Sequence, residues 1–198
     1  MLTRRAFTSL LAAAPVLPLA APAQAALSDD GLHVQPFFVN SFLDMTEDKA
    51  EAEAKGKHFA VFFEQRGCPY CKEMHEVNLT KPEILSYVTD NFAAVQINLF
   101  GSREVTDFDG TVMEERAFAR KWFVNFTPTI VFFAKGEAGK VPGPQAEAIR
   151  MPGYFKPFHF VTMFEFVAAE AFKTTDFQRF LQEKADRFAA EGKKVDLW

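Results

Sequence analysis

Cysteine is scarce in this sequence, which has only Cys68 and Cys71 among its 198 residues. Two cysteines are too few for the disulfide framework of a small secreted domain, and a chain of this length buries enough core to fold without one. A bridge between them would close almost no loop, and disulfide stabilisation grows with loop length. The pair is therefore a poor structural staple, which leaves a metal site or a reactive dithiol.

Positive charge is also limited. The formal net charge is −4 and the isoelectric point is about 5.6, so no basic surface for nucleic acid is expected. Internal repeats and low-complexity tracts are absent from the sequence. The hydrophobic content of 48% and the 24 phenylalanines predict one globular domain with an aromatic-rich core.

The longest apolar segment lies at the N-terminus, within residues 1–25. It follows two arginines, is broken by two prolines, and ends in Ala23-Gln24-Ala25, which fits an A-x-A cleavage site. This pattern predicts a signal peptide cleaved near Ala25 rather than a membrane anchor. Thr3–Phe7 resembles the start of a twin-arginine motif, and a general secretion signal is the alternative.

Residues 26–198 form the predicted mature domain. Removal of the signal leaves 20 basic residues against 26 acidic ones, a formal charge of −6. Neither attraction to anionic membranes nor stable membrane insertion is therefore expected. Export would place the protein where disulfides persist.

The mature chain alternates helical and strand patterns, which predicts an α/β sandwich with a mixed sheet. The predicted helices are Thr46–Lys57, Pro69 to about Val77, Pro82–Phe92, Met113–Phe123 and two beyond Pro157, and the predicted strands are His58–Glu64, Ala93–Phe100, Thr127–Gly136 and Ala148–Tyr154. The expected N-caps are Thr46 for the first helix and Thr174 or Thr175 for the last. We expect Gly101–Gly110 to be a loop or short hairpin.

A metal site has one observation in its favour. His75 follows Cys71 by four residues on the predicted helix, so the two share a face. Structural zinc needs four ligands, usually from two knuckles, and besides this C-x-x-C the chain offers only His33, His58, His75 and His159. We therefore expect no metal, and we expect His75 to be a solvated helix residue or a modest modulator of the site.

The position of the cysteines favours a reactive dithiol. Cys68 follows a buried strand and begins a helix, with Pro69 suited to its first turn. Free N–H groups and the helix dipole at that point stabilise a thiolate. Cys68 is then the attacking thiolate and Cys71 the resolving thiol that clears a mixed disulfide. Lys72 either adds a nearby positive charge or is simply solvated.

Several motifs together resemble the thioredoxin fold: HFAVFFE, then GCPYC, then FVNFTPTIVFF, then MPGY before an apolar helix. The resemblance covers His58 to Phe172. It implies a thioredoxin-like α/β fold, with a mixed central sheet flanked by helices and extra helices at the N- and C-terminal ends. It also implies that Pro128 is a cis-proline facing the dithiol, and that Thr127 offers backbone groups to an extended substrate peptide. A trans-proline that merely opens a strand is the alternative.

More narrowly, the motifs GCPYCKEMH, FTPTIVFF and MPGYFKPFHF and the tail TTDFQRFLQEKAD resemble the SoxW-type periplasmic thioredoxins encoded with bacterial sulfur-oxidation systems. This resemblance implies a monomeric periplasmic thiol–disulfide oxidoreductase with no cofactor besides the Cys68–Cys71 disulfide. A membrane thiol-transfer protein would supply electrons, and exported proteins with disulfides would be clients, in sulfur oxidation or cytochrome c maturation. The alternatives are a disulfide oxidase or isomerase, a metal (copper) chaperone and a redox-inert binding module.

The sequence departs from thioredoxins at positions that bear on the chemistry. Gly67 stands where Trp commonly precedes the first cysteine, and Phe62 and Gln96 stand where a buried Asp and its Lys partner are common. Proton removal from Cys71 would then need water or another base. Glu64 is one candidate, but we expect it to be an exposed strand-end residue on the other sheet face.

The residues between and opposite the cysteines leave the direction of electron flow open. Pro69 and Tyr70 resemble the dipeptide of glutaredoxins more than that of reducing thioredoxins, and this dipeptide tunes the reduction potential. We expect Tyr70 to lie near the surface and contact partner proteins. Phe126 is either a contact residue or part of the aromatic core.

Overall fold

The computed structural model describes residues 26–136 and 141–193. Its helices are α1 (Met45–Ala54), α2 (Pro69–Glu73), α3 (Pro82–Asn91), α4 (Glu115–Lys121), α5 (Gly143–Ala146), α6 (Pro157–Ala168) and α7 (Phe177–Ala190), with a π-helical turn at Met74–Asn78 and a 3-10 turn at Ala171–Lys173. Its strands are β1 (His58–Glu64), β2 (Phe92–Asn98), β3 (Glu104–Thr106), β4 (Val112–Glu114), β5 (Thr129–Phe133) and β6 (Glu147–Pro152). The predicted signal peptide lies outside the described residues.

Four strands form the central sheet in the order β2-β1-β5-β6. β1 and β2 run parallel, whereas β5 pairs antiparallel with both β1 and β6. The sheet is therefore mixed, as predicted. Since parallel neighbours need a crossover connection, the chain between β1 and β2 carries α2, the π turn and α3.

Strand alternation divides the core into two layers, one on each face of the sheet. On one face, Phe59 and Phe63 of β1 pack with residues of α1 and α4 and with the buried Trp122. On the other face, Phe62 packs with residues of the π turn, α3 and α6, including Phe164. The core is aromatic-rich in both layers, as the composition predicted.

The first and last helices, α1 and α7, are capped by carboxylates rather than by the predicted threonines. Asp44, not Thr46, caps α1, because its Oδ1 accepts hydrogen bonds from the N–H groups of Thr46 and Glu47 at 2.9 and 3.1 Å. Asp176 caps α7 in place of the two threonines before it, accepting from the Arg179 N–H at 2.9 Å. Aspartate and threonine are both good N-caps, so the sequence pattern left the choice between neighbours open.

Some boundaries and short elements differ from the predictions. Phe92 begins β2 instead of ending α3, and Met113 lies in β4 instead of a helix. β4 pairs with β3 in a two-stranded hairpin. The predicted helix from Pro69 changes after Glu73 into the π turn, in which the Leu79 N–H bonds to the carbonyl of Met74 at 3.0 Å.

The terminal helices extend the fold as predicted. α1 precedes the sheet, and α7 packs on α6 through Phe177 and Phe180, whose rings contact Phe166 at centroid distances of 5.7 and 5.3 Å. Within the described part of the chain, no helix has both the length and the apolar character needed to cross a bilayer.

Candidate active site

The dithiol lies at the C-terminal end of β1, where the chain passes from the sheet into α2. Gly67 has a φ of +72°, a left-handed conformation that glycine adopts at no steric cost. Cys68 is the N-cap residue of α2, and the exposed Pro69 takes the first helical position, where a missing N–H is harmless. The local sequence therefore directs the first free N–H groups of the helix toward the Cys68 sulfur.

The two cysteines form a disulfide with a Cα–Cα distance of 5.2 Å. Cys68 is 5% exposed and Cys71 only 1%, so the first sulfur is the more accessible. The Cys68 Sγ accepts hydrogen bonds from the Cys71 N–H at 3.0 Å and from the Thr127 hydroxyl at 3.2 Å. In the reduced protein these two donors stabilise a thiolate on Cys68.

The loop before β5 faces the dithiol. The Thr127–Pro128 peptide bond is cis, and the Pro128 carbonyl accepts the Gly153 N–H at 2.8 Å, which ties this loop to the end of β6. The Thr127 carbonyl oxygen lies 3.6 Å from the Cys68 Sγ. Across the described residues, no acceptor receives the Thr127 N–H, so a backbone donor remains available beside the reactive sulfur.

Exposed aromatic side chains occupy this edge of the sheet. Tyr70 is 62% exposed and Phe126 is 54% exposed, so neither belongs to the core. Phe100, at 72% exposure, was not identified from the sequence. The N–H of the residue before it bonds to the Glu64 carbonyl at 2.8 Å, which places Phe100 beside the end of β1. We call Tyr70, Phe100 and Phe126 the aromatic rim.

Glu64 is fully buried, with 0% exposure, so the prediction that it is exposed is wrong. It has the same strand parity as Phe62, and its side chain therefore leaves the sheet on the face covered by the π turn and not on the opposite face. Its Oε1 accepts a hydrogen bond from Nε2 of His75 at 2.8 Å. Its Oε2 is buried and has no hydrogen-bond partner among the described residues.

His75 is also 0% exposed, so the prediction of a solvated helix residue is wrong. The wider π turn holds Met74, His75 and Asn78 on its buried side. Besides the bond to Glu64, the Nδ1 of His75 lies 2.9 Å from Nε2 of Gln35. Both ring nitrogens are thus committed to other side chains, and the described ranges contain no group of three or more side chains suited to hold a metal ion.

The segment before α1 covers the Glu64–His75 pair. The ring of His33 stacks on His75 with a centroid distance of 4.6 Å, and the His33 carbonyl accepts a hydrogen bond from Nε2 of Gln96 at 3.0 Å. Burial, followed by the neighbouring His75, lowers the pKa of His33. Gln35 had no signal in the sequence, because its segment shows no helical or strand periodicity.

Phe62 and Gln96 have no acid–base role in this structure. Phe62 is fully buried among aromatic rings, with Phe38 at 5.1 Å and Phe37 at 5.5 Å. Gln96 holds the N-terminal segment through the His33 carbonyl. The buried carboxylate on this face of β1 is instead Glu64, two residues closer to the dithiol.

Comparison with known proteins places the chain in a family. The thioredoxin-like domain family matches residues 45–168, and the chain belongs to this family. A thioredoxin-fold protein from Helicobacter pylori has a similar structure, with a TM-score of 0.51, 20% identity, and coverage of 81% of this chain and 90% of that one. The likeness confirms the fold. No curated protein sequence matches the chain significantly.

Two further solved structures align less closely. A thioredoxin from Thermus thermophilus has a TM-score of 0.47 at 24% identity, over 62% of this chain and 82% of that one. The oxidised C-terminal domain of Neisseria meningitidis DsbD has a TM-score of 0.41 at 20% identity, over 61% of this chain and 88% of that one.

Family membership and the cysteine pair together define the class of enzyme. The protein is a thioredoxin-like thiol–disulfide oxidoreductase with Cys68 and Cys71 as its redox-active disulfide.

Proposed function

We propose that the protein is a periplasmic reductant of disulfides in exported client proteins. The observation that carries the dithiol chemistry of the proposal is the pair of donors on the Cys68 sulfur, the Cys71 N–H and the Thr127 hydroxyl, which favour an attacking thiolate on Cys68. The reducing direction is taken from the resemblance to SoxW-type periplasmic thioredoxins. The sequence pattern of residues 1–25 supports export, and in the proposal these residues are a cleaved signal peptide. Residues 26–198 then form a single mature domain that acts as a monomer.

The proposed reaction has two steps. The Cys68 thiolate attacks one sulfur of the client disulfide, forms a mixed disulfide, and releases the other client sulfur as a thiolate. Cys71 then loses its proton and attacks the Cys68 sulfur, which forms the Cys68–Cys71 disulfide and releases the second client thiolate. Two electrons pass from the protein to the client, and the client thiolates take up protons according to their own pKa values.

The proposed client-binding surface combines backbone and aromatic contacts. A backbone carbonyl of an extended client segment would accept a hydrogen bond from the free Thr127 N–H. The segment would lie across the loop at Pro128, in the manner of strand addition. Pro69 and the aromatic rim would contact apolar side chains next to the client disulfide, because exposed aromatic residues supply most of the contact energy at such surfaces.

The cellular context of the proposal comes from the resemblance to SoxW-type periplasmic thioredoxins. A membrane thiol-transfer protein would reduce the Cys68–Cys71 disulfide after each cycle. The clients would be exported proteins with disulfides, such as a sulfur-carrier component of sulfur oxidation or an apo-cytochrome c. The motifs GCPYCKEMH and MPGYFKPFHF support this context.

An insulin-disulfide reduction assay with dithiothreitol as electron source tests the mechanism. Cys68→Ser is expected to abolish activity, because no other cysteine is accessible to attack the substrate. Cys71→Ser is expected to lose turnover but to accumulate mixed disulfides, because the second step is missing. Full activity of Cys68→Ser would overturn the proposed mechanism.

A disulfide oxidase or isomerase is the second candidate, because the Pro69-Tyr70 dipeptide resembles that of glutaredoxins. Equilibration of the Cys68–Cys71 pair with glutathione and dithiothreitol buffers separates the two directions. A reductant is expected to lie near the thioredoxin potential of about −270 mV, whereas an oxidase lies near about −120 mV. A reduction potential near about −120 mV would favour the oxidase as the function of the protein and contradict the reductant.

A further inference from the structure

Three hydrogen-bonded polar side chains are buried at the π turn that follows the dithiol helix. Gln35, His75 and Glu64 are 8%, 0% and 0% exposed. Hydrogen bonds of 2.9 Å between Gln35 and His75 and of 2.8 Å between His75 and Glu64 connect them. Burying such groups costs free energy unless they are fully paired, so their presence beside a hydrophobic core layer calls for a role.

The hydrogen bonds define the tautomer of His75. The Gln35 Nε2 can only donate, so the Nδ1 of His75 accepts and carries no proton. The Nε2 of His75 then carries the proton and donates it to Oε1 of Glu64. Both ring nitrogens of His75 and the Oε1 of Glu64 are hydrogen-bonded, whereas the Oε2 of Glu64 is buried without a partner among the described residues.

Cys71 lies on the helix that leads into the π turn. It is 1% exposed and sits on the buried side of α2. His75 follows it by four residues, and side chains four apart on a helix are neighbours on one face. Glu64 ends the strand that leads into the dithiol, on the sheet face covered by the π turn, where it bonds to His75. The buried thiol of Cys71 and the buried carboxylate of Glu64, with its unpaired oxygen, are thus linked through His75, which bonds to Glu64 and lies one helical turn from Cys71.

The second step of the reaction needs such an acceptor. A thiol must lose its proton before it attacks, and hydroxide has poor access to a residue as deeply buried as Cys71. Neither Phe62 nor Gln96 has a titratable side chain, although these positions commonly hold the buried acid and its partner in thioredoxins.

We propose that Glu64 is the proton acceptor for Cys71, and that His75 and Gln35 are the positioning residues that hold its carboxylate in place. The inference rests on the proposed dithiol mechanism and adds one step to it. The proton of the Cys71 thiol passes to the Oε2 of Glu64, and the electron pair of the S–H bond stays on the Cys71 sulfur. This thiolate attacks the Cys68 sulfur, breaks the bond to the client, and the client sulfur leaves with the electron pair of that bond.

Few other titratable groups face this region. His33 stacks on His75 from the N-terminal segment, and its charge state is influenced by Glu64, Glu76 and Lys72. Lys72 and Glu76 lie on the outer side of the same helical segment, paired with each other at 3.7 Å. The ring of Phe38 closes the remaining side, 6.2 Å from His75.

The test is the pH dependence of the resolving step in Glu64→Gln. This variant keeps an oxygen to accept from His75 but cannot take a proton. The rate is measured by following release of a client thiol from a preformed mixed disulfide on Cys68. We expect release to slow roughly 100-fold or more near neutral pH, and the deficit to shrink toward about pH 9, where hydroxide can deprotonate the thiol.

Three controls make the result specific. The attack step, measured with Glu64→Gln in a Cys71→Ser background, should match Cys71→Ser alone. Glu115→Gln removes another buried carboxylate, which accepts from the Asn98 N–H and Arg103 away from the dithiol helix, and it should leave the pH profile of release unchanged. His75→Gln should release the client thiol more slowly than wild type, but the dependence of this rate on pH should have the wild-type slope, as expected for a positioning residue.

A deficit in Glu64→Gln that is equal at every pH would show a structural role and overturn the inference, as would release at the wild-type rate. Either result leaves the proposed function standing, because that proposal is tested separately, by the activity of Cys68→Ser and by the reduction potential of the Cys68–Cys71 pair.

Discussion

At the scale of single residues, Tyr70 is the exposed aromatic residue of the dithiol motif. It lies between the cysteines on α2 with 62% exposure. Removing its ring leaves the helix intact, since alanine is a good helix former. We therefore expect Tyr70→Ala to raise the KM for a protein disulfide about fivefold, the loss of one contact of about 1 kcal/mol. Steady-state kinetics of insulin reduction measure this change in KM.

A small-molecule disulfide supplies the comparison for this variant. Tyr70→Ala should reduce it at the wild-type rate, because a small substrate needs no contact with the aromatic rim. Val112→Ala, which shortens another exposed apolar side chain on the β3–β4 hairpin, should leave both substrates unaffected. An equal loss with the small disulfide would mean that Tyr70 acts on the cysteines themselves.

Single residues also mark the limit of what the sequence could predict about the site. The cysteines, the Thr127-Pro128 pair and the exposure of Tyr70 follow from motif and position. The burial of Glu64 and His75 does not, because it depends on the segment around His33 and Gln35, which folds over them from more than 25 residues away. Strand parity with Phe62 was the one local signal that could have assigned Glu64 to the buried face, and our prediction did not use it.

At the scale of elements, α1 carries several acids around one partly buried carboxyl group. Burial is the largest cause that raises the pKa of Asp48 to about 6, and Asp44, Glu51 and Glu47 raise it further, while the hydrogen bond from Ser41 opposes them. In the unfolded chain the group ionises near its ordinary pKa of about 3.9. Between these values the folded state holds the extra proton, so stability falls as the pH rises.

Asp48→Asn should remove this pH dependence. The amide oxygen can still accept from Ser41, and no charge has to be buried. Near pH 4 the variant should be as stable as wild type, and near pH 7 more stable by about 1 kcal/mol, a value reduced for solvent screening of a half-exposed group. Urea unfolding at both pH values measures the difference. A difference in stability already present near pH 4 would contradict the assignment of this pH dependence to Asp48. A similar gain near pH 7 in Glu47→Gln, a variant of an exposed neighbour, would also contradict it.

Long elements were predictable and short ones were not. β1 and β5 are continuous buried apolar runs bounded by breakers, and the sequence pattern placed both. The three-residue strands β3 and β4 bury too little to produce a periodic signal. The π turn is equally hidden, because its residues read as an ordinary helix until the Leu79–Met74 bond is seen.

At the scale of the whole molecule, the fold joins two motifs that are far apart in the chain. Cys68 and Thr127 are 59 residues apart, yet they are in contact because β1 and β5 pair antiparallel with Phe63 opposite Thr129. Residue patterns alone predicted an α/β sandwich, whereas the strand pairing that forms the site followed only from the resemblance to thioredoxins. Local preferences do not specify which strands become neighbours.

The most direct test of the dithiol mechanism is to identify which cysteine binds a client covalently. Reduced Cys71→Ser and Cys68→Ser proteins are mixed with an oxidised client peptide, quenched by alkylation, and analysed by mass spectrometry of the digested adducts. We expect a mixed disulfide on Cys68 in the first variant and less than about a tenth of that amount on Cys71 in the second, because Cys71 is 1% exposed. Equal adducts on Cys71 would contradict the assignment of Cys68 as the attacking thiolate.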